Sequence, residues 1–160
     1  MTAALLAVHV LAAVVFVGPV TVAASTFPRY ARAAAGGEGP RRAAAASAAA
    51  AMHRITRTYA VLAVAVPVFG VATASALDAL TQSWVVVSMV LTVAAGLLLA
   101  LAVVPQQRRV LGLIAASPAP AAAVRSTSAR LMLATGVFNL VWAAVVVLMI
   151  LRPGSTTGVS

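Results

Sequence analysis

The sequence predicts an all-α membrane protein, a polytopic bundle of four transmembrane helices in a single domain. Three observations predict it. Hydrophobic residues make up 63% of the 160 positions and charged residues 8%, against about 45–50% and about 25% in a soluble domain. Such a chain cannot clothe itself in polar surface, which excludes a soluble enzyme and a disordered chain alike. Four apolar stretches, 3–24, 59–77, 84–104 and 131–151, are each long enough to cross a hydrocarbon layer that needs about 20 helical residues. Finally, the basic residues alternate: six in the first loop, none in the second, four in the third and one in the tail.

Each stretch has to be a helix, because an open strand would leave backbone groups unpaired in lipid. The first begins Met1-Thr2-Ala3 with no basic residue before the apolar run, and so reads as a span rather than a cleaved leader. Pro19, after Gly18, is expected to bend it. Gly36-Gly37 ends the helical extension beyond it. Gly39 and Pro40 then read as N-cap and first residue of the next helix. The alanine run 43–51 propagates that helix into the second span, where Pro67 predicts a kink. The third span is expected to end at Val104. Residues 106–114 would then form a short amphipathic turn in the membrane interface, broken by the Ser117-Pro118-Ala119-Pro120 segment. The fourth span closes the bundle.

Orientation follows from the arginines. Arg29, Arg32, Arg41, Arg42, Arg54 and Arg57 lie in the first loop, and Arg108, Arg109, Arg125 and Arg130 in the third. The positive-inside rule makes both loops cytoplasmic and both termini external. The net charge of +9 with no lysine could suggest nucleic acid. The arginines flank apolar runs, however, so their expected partner is the anionic headgroup layer of the bilayer. An alanine- and arginine-rich chain without lysine points to the cytoplasmic membrane of a high-GC bacterium. With no cysteine in the sequence, disulfides and thiolate chemistry are excluded.

Polar and small residues within spans carry the functional information, since a lipid-facing surface needs only apolar bulk. Ser88, Thr92 and Gly96 are spaced four apart and form a small stripe suited to close helix packing. Gly70, Ala74 and Asp78 line up in the same way. Thr135, Asn139 and Trp142 fall on one face of the fourth helix, with Asn139 expected to point into the bundle and find a partner. His9 lies about two turns inside the first helix. It is the ionisable residue most open to function, as a haem or metal ligand or a proton relay, against a neutral histidine bonded to a neighbouring helix. His53, beside Arg54 and Arg57, is expected to be solvated at the interface. No paired carboxylates, phosphate loop or nucleophile motif accompanies these residues, so the chain reads as non-enzymatic unless a cofactor carries the chemistry.

The run from Val8-His9-Val10 to Phe16-Val17-Gly18, together with a last helix closing in Trp142 and Arg152-Pro153, resembles the bacterial domain-of-unknown-function family 2269 of integral membrane proteins. More distantly, the opening is similar to the membrane-bound protoporphyrinogen oxidase and copper-resistance protein D families. The stretch Phe27-Pro28-Arg29-Tyr30 resembles the segment after the first helix in the oxidases. That resemblance implies haem binding at His9. The chain departs from the oxidase pattern at Phe16, where tryptophan is usual, and in having no lysine. Three expectations follow: a non-enzymatic protein packing with itself or a membrane partner, a haem-binding redox protein with His9 as axial ligand, or a component of small-solute or metal transport.

Overall fold

The structure, a computed structural model, describes residues 2–116 and 118–153. Four long helices are present: α1 (Ala3–Gly36), α2 (Gly39–Ala76), α3 (Ser83–Ala115) and α4 (Ala121–Leu151). At 1.5 Å per residue the shortest, 31 residues, is about 46 Å long, against a hydrocarbon core of about 30 Å. All four therefore outrun a bilayer. The excess lies at the end that carries ten of the eleven arginines, where α1 meets α2 and α3 meets α4. Only about a fifth of each apolar window is buried within the protein. The outward faces are leucine and valine, among them Leu101, Leu133 and Leu140. Lipid is the solvent these faces suit.

The helices run up and down in sequence. α1 packs along α2 and α4, and α4 packs along α3. The fourth side of the bundle, between α2 and α3, closes at the arginine-rich end and is sparsely packed elsewhere. The inward face of α4 is Val124, Ser128, Leu131, Thr135, Phe138, Trp142 and Val145. Its alternating steps of four and three are the seven-residue period of left-handed helix packing.

Prolines interrupt three helices, each in the way its freed carbonyl dictates. A proline has no N–H to give the carbonyl four residues back and crowds it. In α2, Pro67 frees the Ala63 carbonyl. The helix breaks at Ala63–Val64, and Val66 N–H takes that carbonyl instead at 3.0 Å. This is the kink expected at Pro67. In α1, Pro19 follows a π-helical turn at Ala13–Val17, and in α3, Pro105 follows one at Leu99–Val103. The freed carbonyls, Val15 and Leu101, lie inside those turns.

Each π turn holds one residue more than an α turn, and so shifts the buried face behind it by one position. In α1 the buried positions run Ala34, Ala31, Phe27, Ala24, Val20 and Val17. A regular continuation of those steps would bring Val10 inward. Across the π turn the buried residues are Ala12 and His9, while Val10 is 50% exposed. In α3 the same shift buries Val103, Gln107 and Val110 and leaves Arg109 outside.

Two sequence expectations need correction here. Residues 106–114 form no separate interfacial turn. They continue α3 through Pro105 to Ala115, because the π turn absorbs the missing hydrogen bond. The cap of α2 falls on Glu38 rather than Gly39. Gly39 has a φ of +50°, a conformation that glycine adopts without cost. Arg42 ties the two arginine-rich connections together. Its guanidinium donates to the Ile114 carbonyl at 3.0 Å and the Ala116 carbonyl at 2.6 Å, satisfying groups left open at the end of α3.

Candidate functional site

His9 is brought inward by the π turn and fixed by α2. Its Nδ1 lies 2.9 Å from the Val66 carbonyl. A carbonyl only accepts, so Nδ1 carries the proton and donates it. Gly70 makes the close approach geometrically feasible: a Cβ there would sit 3.0 Å from His9 Cε1. With Nδ1 engaged, Nε2 is the nitrogen left to bind a ligand. Metal-bound histidines are held in this way, the second nitrogen donating to a carbonyl. The residue as a whole is 7% exposed.

His9 lines a cavity of about 760 Å³ in the half of the bundle away from the arginine-rich end. The walls are mostly aliphatic, with Trp84, Trp142, Met89 and Met149 among them. Arg152 stands at its mouth, with its guanidinium 5.6 Å from the centre of the Trp84 ring. A large apolar cavity with a few convergent polar groups is the usual form of a small-molecule site, of about 300–1,000 Å³.

The other residues singled out from sequence divide. Gly70 packs on His9 and Ala74 is buried. Thr135 is buried, and Trp142 lines the cavity. Asn139 sits on the shoulder of the α4 face and donates to Ser25 Oγ on α1 at 3.3 Å, while its Oδ1 is buried without a partner. The Ser88–Thr92–Gly96 stripe does not share one environment. Ser88 is buried, Thr92 Oγ1 donates to the Ser88 carbonyl at 2.7 Å, and a Cβ on Gly96 would meet nothing within 4 Å. Arg29, Arg32, Arg41, Arg54, Arg57, Arg108, Arg109, Arg125 and Arg130 are exposed.

His53 is not solvated, contrary to the sequence expectation. It is buried, with Nδ1 3.1 Å from Gln107 Oε1. Gln107 Nε2 donates to Thr56 Oγ1 at 3.2 Å, and Thr56 donates to the Met52 carbonyl at 2.9 Å. This chain pins α2 to α3 beneath the arginines. Sequence reasoning missed Gln107 and Thr56. The three-residue spacing of His53 and Thr56 puts both on one helix face and was the available signal. The position of Gln107 was not legible, because it depends on the π turn. Among the described residues no group of three or more His, Cys, Asp or Glu side chains comes together to hold a metal.

Fold and surface together define a multi-pass, all-helical membrane protein of four spans. Comparison with protein-family models, curated proteins and solved structures gives no match.

Proposed function

We propose that this is a bacterial cytoplasmic-membrane protein that binds haem in its outer cavity, with His9 as axial ligand. The observation that carries the reading is the His9–Val66 hydrogen bond, which leaves Nε2 as the binding nitrogen of a histidine lining a cavity of about 760 Å³. The donor set fits the group. A single imidazole suffices for haem iron, the aliphatic and tryptophan walls suit an apolar macrocycle, and Arg152 offers positive charge where acidic side groups would emerge. Bound haem would supply one-electron chemistry. The chain's own residues bind it, orient it and keep water away. The resemblance of the first helix to haem-linked families supports the same reading. The arginine belt favours a cytoplasmic arginine-rich end and external termini, which puts the cavity in the outer leaflet.

The test is the visible spectrum of the detergent-purified protein from haem-replete cells, oxidised and dithionite-reduced. A Soret band that His9→Ala abolishes is expected. A colourless wild-type protein would defeat the reading. A second reading, packing with itself or a membrane partner, is favoured by the open surface at Gly96. It predicts that Gly96→Leu disrupts an assembly that His9→Ala leaves intact.

A further inference from the structure

A second cavity, of about 500 Å³, lies between α2 and α3 on the arginine-rich side of the first. We propose that it binds one anionic phospholipid of the leaflet facing the arginines, with an acyl chain in the cleft and the phosphate on Arg57. The proposal does not rest on the haem reading.

The shape fits a chain lying along the helices. The floor is Val17 and Val20 of α1 and Phe138 of α4, and the sides are α2 and α3, which barely touch here. The cleft runs along α2 from Arg57 to Pro67. Ten residues of helix measure about 15 Å, half of a hydrocarbon core of about 30 Å and so the depth of one leaflet. Gly96 keeps the α3 wall open, since no side chain there reaches into the space. The lining is apolar except for Thr92, Trp142 and Arg57, and Thr92 already spends its hydroxyl proton on the Ser88 carbonyl.

The charge sits at one end only. Arg57 is exposed, and the chain's acidic residues are Glu38 and Asp78, neither of which lines the cleft. The positive charge at the mouth is therefore not neutralised from within the cleft. An apolar slot one leaflet deep with a lone guanidinium at the headgroup level matches an amphiphile with an anionic head. It matches less well a zwitterionic lipid, whose own ammonium offsets the phosphate that Arg57 would hold, and it does not match a water-soluble anion, which would leave the slot unfilled. A partner's transmembrane helix would have to place its own acid at Arg57 and displace the chain.

The experiment is native mass spectrometry of the full protein in mild detergent, titrated with phosphatidylglycerol or phosphatidylcholine. One retained phosphatidylglycerol per protein is expected, held about fivefold more strongly than phosphatidylcholine, the factor given by one arginine near a headgroup. Arg57→Gln should remove that preference, while Arg54→Gln, which alters an arginine outside the cleft, should keep it. Gly96→Leu, whose Cβ would meet nothing within 4 Å and whose side chain would occupy the slot, should lose the retained lipid altogether. Equal retention of the two lipids by the wild type would overturn the proposal. So would a retained phosphatidylglycerol in Gly96→Leu, or a homodimer that Gly96→Leu dissociates, since a second copy would then occupy the cleft.

Discussion

Gly70→Ala tests how closely His9 is fitted to α2. The new Cβ would lie 3.0 Å from His9 Cε1 and 3.3 Å from Nδ1, where carbon atoms rest comfortably at about 3.5–4.0 Å. The ring has to retreat by about half an ångström. That stretches its 2.9 Å bond to the Val66 carbonyl to the limit of a useful hydrogen bond. Overpacking of this kind costs about 1–3 kcal/mol, and a hydrogen bond between helices in a membrane contributes about 0.6 kcal/mol. Against this, alanine is the better helix former by up to about 1 kcal/mol. The net expectation is a loss of about 1–2 kcal/mol. In a His9→Ala background there is no ring to displace, and the same substitution should be neutral or stabilising. The assay is reversible unfolding in mixed micelles of wild type, both single variants and the double variant. If Gly70→Ala costs the same with and without His9, within about 0.5 kcal/mol, the contact is not what limits residue 70 and the argument fails.

Other expectations follow from the same geometry. Deleting Val15 should convert the first π turn to an α turn and leave His9 eight residues before Gly18, so His9 keeps its inward place and a Soret band should survive. Loss of the band in this variant would mean that the π turn does more than set the phase of the helix. Gln107→Leu leaves His53 Nδ1 without its acceptor and should cost about 1–3 kcal/mol in micelle unfolding. Gln106→Leu, which removes an oxygen already buried without a partner, should be neutral or stabilising. Because the chain has no cysteine, single-cysteine variants report topology cleanly. Thr81→Cys should react with an impermeant maleimide in intact cells, and Gly36→Cys only after the membrane is opened.

Much of this fold is legible in the sequence because the bilayer imposes it. Length and hydropathy place four helices, and Gly36-Gly37 and Pro40 place the turn between the first two. Pro67 announces its own break, since the carbonyl it frees is fixed by counting back four residues. The phase of a helix is another matter. Pro19 and Pro105 look alike in sequence to Pro67, yet each is absorbed by an extra residue rather than by a break. Nothing local to Pro105 says whether a helix stops or continues, so α3 runs eleven residues past the expected end of its span. His53 misleads for a related reason. Its sequence neighbours Arg54 and Arg57 are exposed, but its own side of the helix is turned toward Gln107. His9 was legible as a candidate because an ionisable residue stands out in an apolar run. Its partner Val66 was not, because a backbone carbonyl leaves no mark in the sequence.

The extra residue in Ala13–Val17 also bears on how relatives of this chain should be recognised. A π turn is what a single inserted codon leaves behind in a helix. In this chain the histidine stands nine residues before Gly18. A relative without the extra residue would need it eight residues before the equivalent glycine to fill the same place in space. Aligned without a gap, the two histidines would fall in neighbouring columns and neither would look conserved. Comparisons that allow one gap inside the first helix, and another before Pro105, are the ones in which kinship should become visible.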